Sequence, residues 1–79
     1  MKLISPFTPG QLVKLREWSV LYVFPLQSMY EEVCELPAKE FMIVIDVNDE
    51  DDDYVHVEVF VPRVNAVGWI NSASELERA

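Results

Sequence analysis

Residues Tyr54 to Val61 alternate without a break. Val55, Val57, Val59 and Val61 fall on one side, and Tyr54, His56, Glu58 and Phe60 fall on the other. A repeat of two is the repeat of a β-strand, whose neighbouring side chains point to opposite faces. An α-helix would scatter these valines around its whole circumference. The run therefore reads as a strand with an all-valine buried face and an outer face that meets water. Such a strand needs partners, because its backbone N–H and C=O groups must be paired.

The rest of the chain supplies candidate partners. Leu12 to Arg16 places Val13 and Leu15 on one face of a short strand, after an opening turn marked by Pro6, Pro9 and Gly10. Ser19 to Phe24 is β-branched and aromatic, and Pro25 ends it. Phe41 to Ile45 is apolar on both alternations, which predicts a central strand covered on both faces. Val67 to Ile70 is a further short strand, and Glu75 to Glu77 a last one. Gln27 to Lys39 carries Glu31, Glu32 and Glu35 and stops at Pro37, so it reads as a long loop with at most a short strand or turn near Val33 to Leu36. Asn65 is the residue best able to take a left-handed conformation in the turn after Pro62. Asn71 to Ser74 reads as a helical or 3₁₀ turn.

This is an all-β pattern of five or six short antiparallel strands with a 3₁₀ turn near the C-terminus. Closing such a sheet into a barrel removes its exposed edges. With 79 residues there is room for one domain, spanning 1–79 with its core within about 8–78. Cys34 is the only cysteine and His56 the only histidine, so neither an internal disulfide nor a four-ligand zinc site can form.

Charge narrows the choice of partners. Six Lys and Arg face fourteen Asp and Glu, a net charge of −8. Binding to nucleic acid or to an anionic membrane is disfavoured over most of such a surface. The apolar run after Met1-Lys2 is only two residues long, and no stretch approaches transmembrane length, so the expected compartment is the cytoplasm.

From Leu21 onward the order of features resembles the bacterial type of Src-homology-3 domain. Leu21-Tyr22-Val23-Phe24-Pro25 is similar to that family's first strand, and Leu36-Pro37-Ala38-Lys39 to the turn before its second. Phe41 to Asp46 and Tyr54 to Val61 would be the central hairpin. Gly68-Trp69-Ile70, Ser72 to Ser74 and Leu76 resemble its closing strand, 3₁₀ turn and last strand. The opening Phe7 to Lys14 is similar to small uncharacterised barrels of tailed phages and, through Pro9-Gly10-Gln11-Leu12-Val13, to barrels of the KOW type. The resemblance implies a non-enzymatic binding module. Glu40 stands where that family usually has a glycine, and Val55-His56 replaces the tryptophan pair of its peptide-binding members. The closing turn also lacks the proline and tyrosine of a proline-peptide groove.

Other candidate sites have plainer readings. Asp46, Asn48 and Glu50 have the odd spacing of a calcium loop. Asp51 and Val57, however, stand where such a loop needs glycine and glutamate, so the acidic run reads as a solvated hairpin tip. His56 and Glu58 share a strand face with no nucleophile near them and read as surface polar residues. Cys34 lacks any catalytic cysteine motif and reads as a small hydrophobe.

Six aromatics, Trp18, Tyr22, Tyr30, Tyr54, Phe60 and Trp69, are many for a chain of this length, and most are expected in the core or at the barrel's closure. Tyr54 and Phe60 are the exceptions, because the valines of their strand already fill the inner side. Ile70 suits a small interior, so its neighbour Trp69 should lie outside near Tyr54 or Phe60. Gly68 would permit close backbone approach or a bulge just before it.

The sequence therefore predicts a cytoplasmic interaction module with no enzymatic activity and no cofactor or metal, and the resemblance implies that it is phage- or bacterium-encoded. It would bind a protein partner or a second copy of itself through an aromatic face of Tyr22, Tyr54, Phe60 and Trp69. Two rivals remain. One is a KOW-like nucleic-acid barrel, which requires Lys2, Lys14, Arg16 and Lys39 to gather on one face. The other is binding of cell-wall peptides.

Overall fold

The computed structural model describes residues 7–28, 30–48, 56–70 and 73–79. They form an all-β arrangement: β1 (Leu12–Leu15), β2 (Ser19–Pro25), β3 (Glu32–Leu36), β4 (Phe41–Asn48), β5 (His56–Val61), β6 (Ala66–Ile70) and β7 (Leu76–Arg78). Two 3₁₀ turns, Pro62–Val64 and Ala73–Glu75, join β5 to β6 and lead into β7. The seven strands make one sheet in the order β3-β2-β6-β5-β4-β1-β7, with every ladder antiparallel.

The connections force this sheet to curl. β1 and β2 stand four places apart in the order, which in a flat sheet is ~19 Å. Yet Leu15 and Ser19 are separated by only three residues, and that much chain spans at most ~14 Å. The Leu36-to-Phe41 link crosses the same number of places through a turn, in which the Glu40 N–H donates to the Pro37 carbonyl at 3.3 Å. The result is a curled half-barrel whose end strands, β3 and β7, share no ladder among the described residues.

The strand number exceeds the expected five or six because the short strand allowed near Val33 to Leu36 is present, as β3. Its five residues pair with β2 from Ser19↔Leu36 to Val23↔Glu32. The glutamates of β3 sit on an edge, where charge costs little and discourages further strand pairing. β4 runs on to Asn48, three residues beyond the expected end, and β2 includes Pro25.

The concave side holds the core: Phe7, Val13, Leu15, Leu21, Val23, Leu36, Met42, Val44, Val57, Val59, Val61, Ala66, Ile70 and Leu76. All but Phe7 are aliphatic, because the inner wall of a narrow half-barrel takes compact side chains. The expected inward faces of β1 and β5 are observed at Val13, Leu15, Val57, Val59 and Val61; Val55 lies outside the described residues.

The expectation that β4 is covered on both faces is corrected. Met42 and Val44 are buried, whereas Phe41, Ile43 and Ile45 are exposed, since no second layer of described residues covers the convex side. The expectation that most aromatics are in the core is corrected too. Trp18 and Tyr30 are 60% and 77% exposed, and the core is built of aliphatic side chains and Phe7; Tyr22, expected on the outer aromatic face, is 63% exposed.

Three backbone positions hold the turns. Gly10 adopts φ +90°, and its N–H donates to the Val44 carbonyl at 2.7 Å. Asn65 is left-handed, as expected, with φ 51° and ψ 52°. Lys39 is also left-handed at φ 72°, an uncommon conformation for a residue with a Cβ. Its N–H donates to the Leu15 carbonyl, and the Leu15 N–H donates to the Glu40 carbonyl, so the turn extends the pairing of β1 with β4.

Candidate functional site

The pairing registers place a row of apolar side chains across the convex face. Leu12 on β1 opposes Ile43 on β4. Ile43 opposes Phe60 on β5, Phe60 opposes Val67 on β6, and Val67 opposes Phe24 on β2. These five residues form a continuous belt over five adjacent strands. Leu12, Ile43 and Phe24 are exposed, and Phe60 and Val67 are partly buried against their neighbours.

The predicted site residues lie on this side. Phe60 is in the belt. Trp69 is on the same face of β6, two residues beyond Val67, and is 39% exposed. Tyr22 stands on the same face of β2 as Phe24, opposite the exposed Val33 of β3. Val23↔Gly68 is the pair next to both Tyr22 and Trp69, so the two rings follow it on the outer face. Tyr54 lies outside the described residues. Ile70, next to Trp69, is buried opposite Val57, so the two take opposite faces as expected.

Gly68 makes this geometry possible. A Cβ there would lie 2.9 Å from Val23 Cγ1 and 3.2 Å from the Tyr22 carbonyl oxygen. The missing side chain thus lets β2 lie close against β6, which sets Tyr22 and Phe24 beside Trp69 and Val67.

A β-bulge adds a polar element. The register shifts between Val44 and Asp46, so Ile45 is the extra residue. Strict alternation would turn Asp46 inward and Val47 outward. The bulge reverses this: Asp46 is exposed, and Val47 packs against the core. Asp46 consequently opposes Glu58 on the outer face, and Glu58 opposes Trp69. The sequence reading missed the bulge, the Asp46–Glu58 pair and the belt residues Leu12, Ile43, Val67 and Phe24. An aspartate at a position where alternation demands an inward apolar residue was the available signal.

The remaining candidates are placed as follows. His56 and Glu58 are partly buried on the outer side of β5. Cys34 is a free thiol on edge strand β3, partly buried and packed against the core, in keeping with a small hydrophobe. Of the acidic run, Asp49 to Asp53 lie outside the described residues. Among the described residues, no group of three or more His, Cys, Asp or Glu is placed to hold a metal ion, and no helix is long and apolar enough to cross a membrane.

The corner of β1 and β7 gathers charge of the other sign. Lys39 Nζ donates to Glu77 Oε1 at 2.9 Å, Arg16 Nη1 lies 3.9 Å from Glu77 Oε2, and Lys14 opposes Glu77 across the ladder. The Lys39 hydrogen bond, aided by the charges of Lys39, Lys14 and Arg16, holds the Glu77 carboxyl below its usual pKa. Arg16 Nε also donates to the Leu76 carbonyl at 3.1 Å. Nearby, Arg16, Glu17, Trp18, Ser19, Ser74 and Glu75 line an open cleft of about 300 Å³.

Comparison with protein families, curated proteins and solved structures finds no match.

Proposed function

We propose that the chain is a small Src-homology-3-like barrel that works as a non-enzymatic interaction module. Its convex face binds a protein partner or a second copy, through Tyr22, Phe60 and Trp69 together with the belt. The observation that carries the reading is the belt itself: apolar side chains in register over five strands, flanked by two exposed aromatics, on a face that no layer of described residues covers. Contiguous exposed apolar area of this kind marks interaction surfaces more often than scattered exposure does. The barrel reading is supported by the β4–β5 pairing and by the 3₁₀ turn Ala73–Glu75, which overlaps the Ser72 to Ser74 of the resemblance. The same reading makes it a cytoplasmic protein, phage- or bacterium-encoded.

The test is a Tyr22→Ser/Trp69→Ser double variant. Both side chains lie outside the core, so the variant should keep its far-UV circular dichroism. It should lose self-association in sedimentation experiments or capture of a partner from host lysate. A wild type that neither self-associates nor retains anything the variant does not would end the reading.

One observation favours the nucleic-acid rival. Lys14, Arg16 and Lys39, three of the four cations it requires, meet around Glu77. Two of them are already engaged by that carboxylate, and the chain carries −8 overall. A gel shift at low salt decides: a salt-dependent complex lost on Lys14→Glu supports the rival, and no complex removes it.

A further inference from the structure

Beside the belt runs a second outer row, Asp46, Glu58 and Trp69, on β4, β5 and β6. The two acidic residues are directly opposed in the register of β4 and β5, and like charges at opposed positions are unfavourable in a sheet when nothing neutralises them. Neither meets a cation among the described residues. Arg16 and Lys39 are on Glu77, and Arg63 is on Glu40. Among the described residues, Asp46 Oδ1 accepts only the N–H of Val47, at 2.9 Å. The bulge at Ile45 is what aims Asp46 outward, so the unneutralised pair depends on a specific departure from regular alternation. The pair also adjoins an indole that is 39% exposed. Two carboxylates beside an aromatic face suit an ammonium or guanidinium group, by Coulomb attraction and by contact with the ring.

We propose that the convex face docks a basic amphipathic segment of another protein. Its apolar side chains lie on the Leu12–Ile43–Phe60–Val67–Phe24 belt, and a Lys or Arg sits at Asp46 and Glu58 against Trp69. This rests on the interaction-module reading and specifies the partner's chemistry. Charge decides between occupants. A second copy brings another −8 and a second unneutralised pair, and a nucleic acid brings phosphates to carboxylates. A basic segment supplies the cation that the row lacks among the described residues, and it brings that cation to two carboxylates at once.

Three labelled peptides of equal length, titrated with the intact chain by fluorescence anisotropy at physiological salt, test this. One has leucine on one face and lysine elsewhere; the second replaces its leucines with serine; the third replaces its lysines with glutamate. The Leu/Lys peptide should bind at least about tenfold more tightly than either control, since both the belt and the acidic pair are needed. Glu58→Lys should weaken it roughly tenfold, and the near-isosteric Glu58→Gln roughly threefold, with circular dichroism retained. Glu17→Lys makes the same charge change at the β1–β2 corner and should leave affinity within about twofold. Equal binding of the Ser/Lys peptide, or equal losses from Glu58→Lys and Glu17→Lys, would overturn the inference in favour of unspecific attraction to an acidic protein. Equal binding of the Leu/Glu peptide would overturn it in favour of a purely apolar surface. If no peptide binds but the chain self-associates through Tyr22 and Trp69, the interaction-module reading stands and the basic partner falls. If neither occurs, both fall.

Discussion

Replacing Gly68 with alanine probes the contact on which the outer face is built. The new Cβ would lie 2.9 Å from Val23 Cγ1 and 3.2 Å from the Tyr22 carbonyl oxygen, with Leu21 Cδ2 at 3.6 Å. Carbon atoms prefer separations of about 3.5–4.0 Å, so the first contact is short by more than half an ångström. Val23 cannot easily turn away, because its β-branched side chain is stiff and it is buried in the core. The Tyr22 oxygen is backbone and moves only with its strand. β2 must therefore shift away from β6, and overpacking of this kind costs about 1–3 kcal/mol. A domain of this size has a margin of about 3–5 kcal/mol, so the variant should melt about 5–20 °C lower. Urea unfolding followed by circular dichroism and by tryptophan fluorescence measures the change. The sign is informative. At an unobstructed site, Gly to Ala stabilises by about 0.4–1 kcal/mol through the unfolded chain. A Gly68→Ala protein as stable as wild type, or more so, would refute the close approach of β2 and β6.

Three further outcomes follow from the geometry. Lys39→Gly should exceed Lys39→Ala in stability by about 1 kcal/mol, because both lose the ammonium and only glycine relieves the left-handed backbone; equal midpoints in urea would contradict this. Glu77 has a folded pKa below its unfolded one, so its contribution is present at neutral pH, above the unfolded value, and disappears as pH falls through the depressed folded value; the stability gap between wild type and Glu77→Gln should shrink in acid, and a gap that widens there would reverse the sign. Cys34→Ala should keep the fold and any binding, which circular dichroism and the peptide titration would check together.

What was legible in the sequence was the local part of the fold. The inward valines of β5 and the faces of Val13 and Leu15 follow from period-two patterning, and the left-handed Asn65 from side-chain chemistry. The opposite faces of Trp69 and Ile70 follow from their adjacency. What was hidden depends on partners distant in sequence. Three glutamates crowd β3, so the sequence leaves strand and turn both open near Val33 to Leu36, and only the pairing with β2 decides for a strand. The bulge at Ile45 is defined by β5, not by β4 alone, and it carries the phase change that exposes Asp46. Phe7 reads as part of an opening turn, yet it is buried once the sheet curls over it. Lys39 carries no sequence signal for a positive φ; its N–H donates to the Leu15 carbonyl, and the adjoining Glu40 carbonyl accepts from the Leu15 N–H, which together hold the turn. The aromatic face was foreseen through Tyr22, Phe60 and Trp69, but the belt joining it across the sheet required the registers of four ladders.

The account turns on which side of β6 holds the protein together and which side faces a partner, and paired Ile70→Ala and Trp69→Ala variants measure that directly. Ile70 is 2% exposed and fills the space opposite Val57, so its truncation should cost about 2–5 kcal/mol and leave little or no folded protein. Trp69 lies outside at 39% exposure, so its truncation should cost only about 1–2 kcal/mol. Urea denaturation of the two, with binding of the Leu/Lys peptide measured on whatever remains folded, gives the comparison. The predicted result is an unfolded or nearly unfolded Ile70→Ala beside a folded Trp69→Ala that no longer binds. A mild Ile70→Ala beside an unfolded Trp69→Ala would reverse the faces of the sheet and contradict the account.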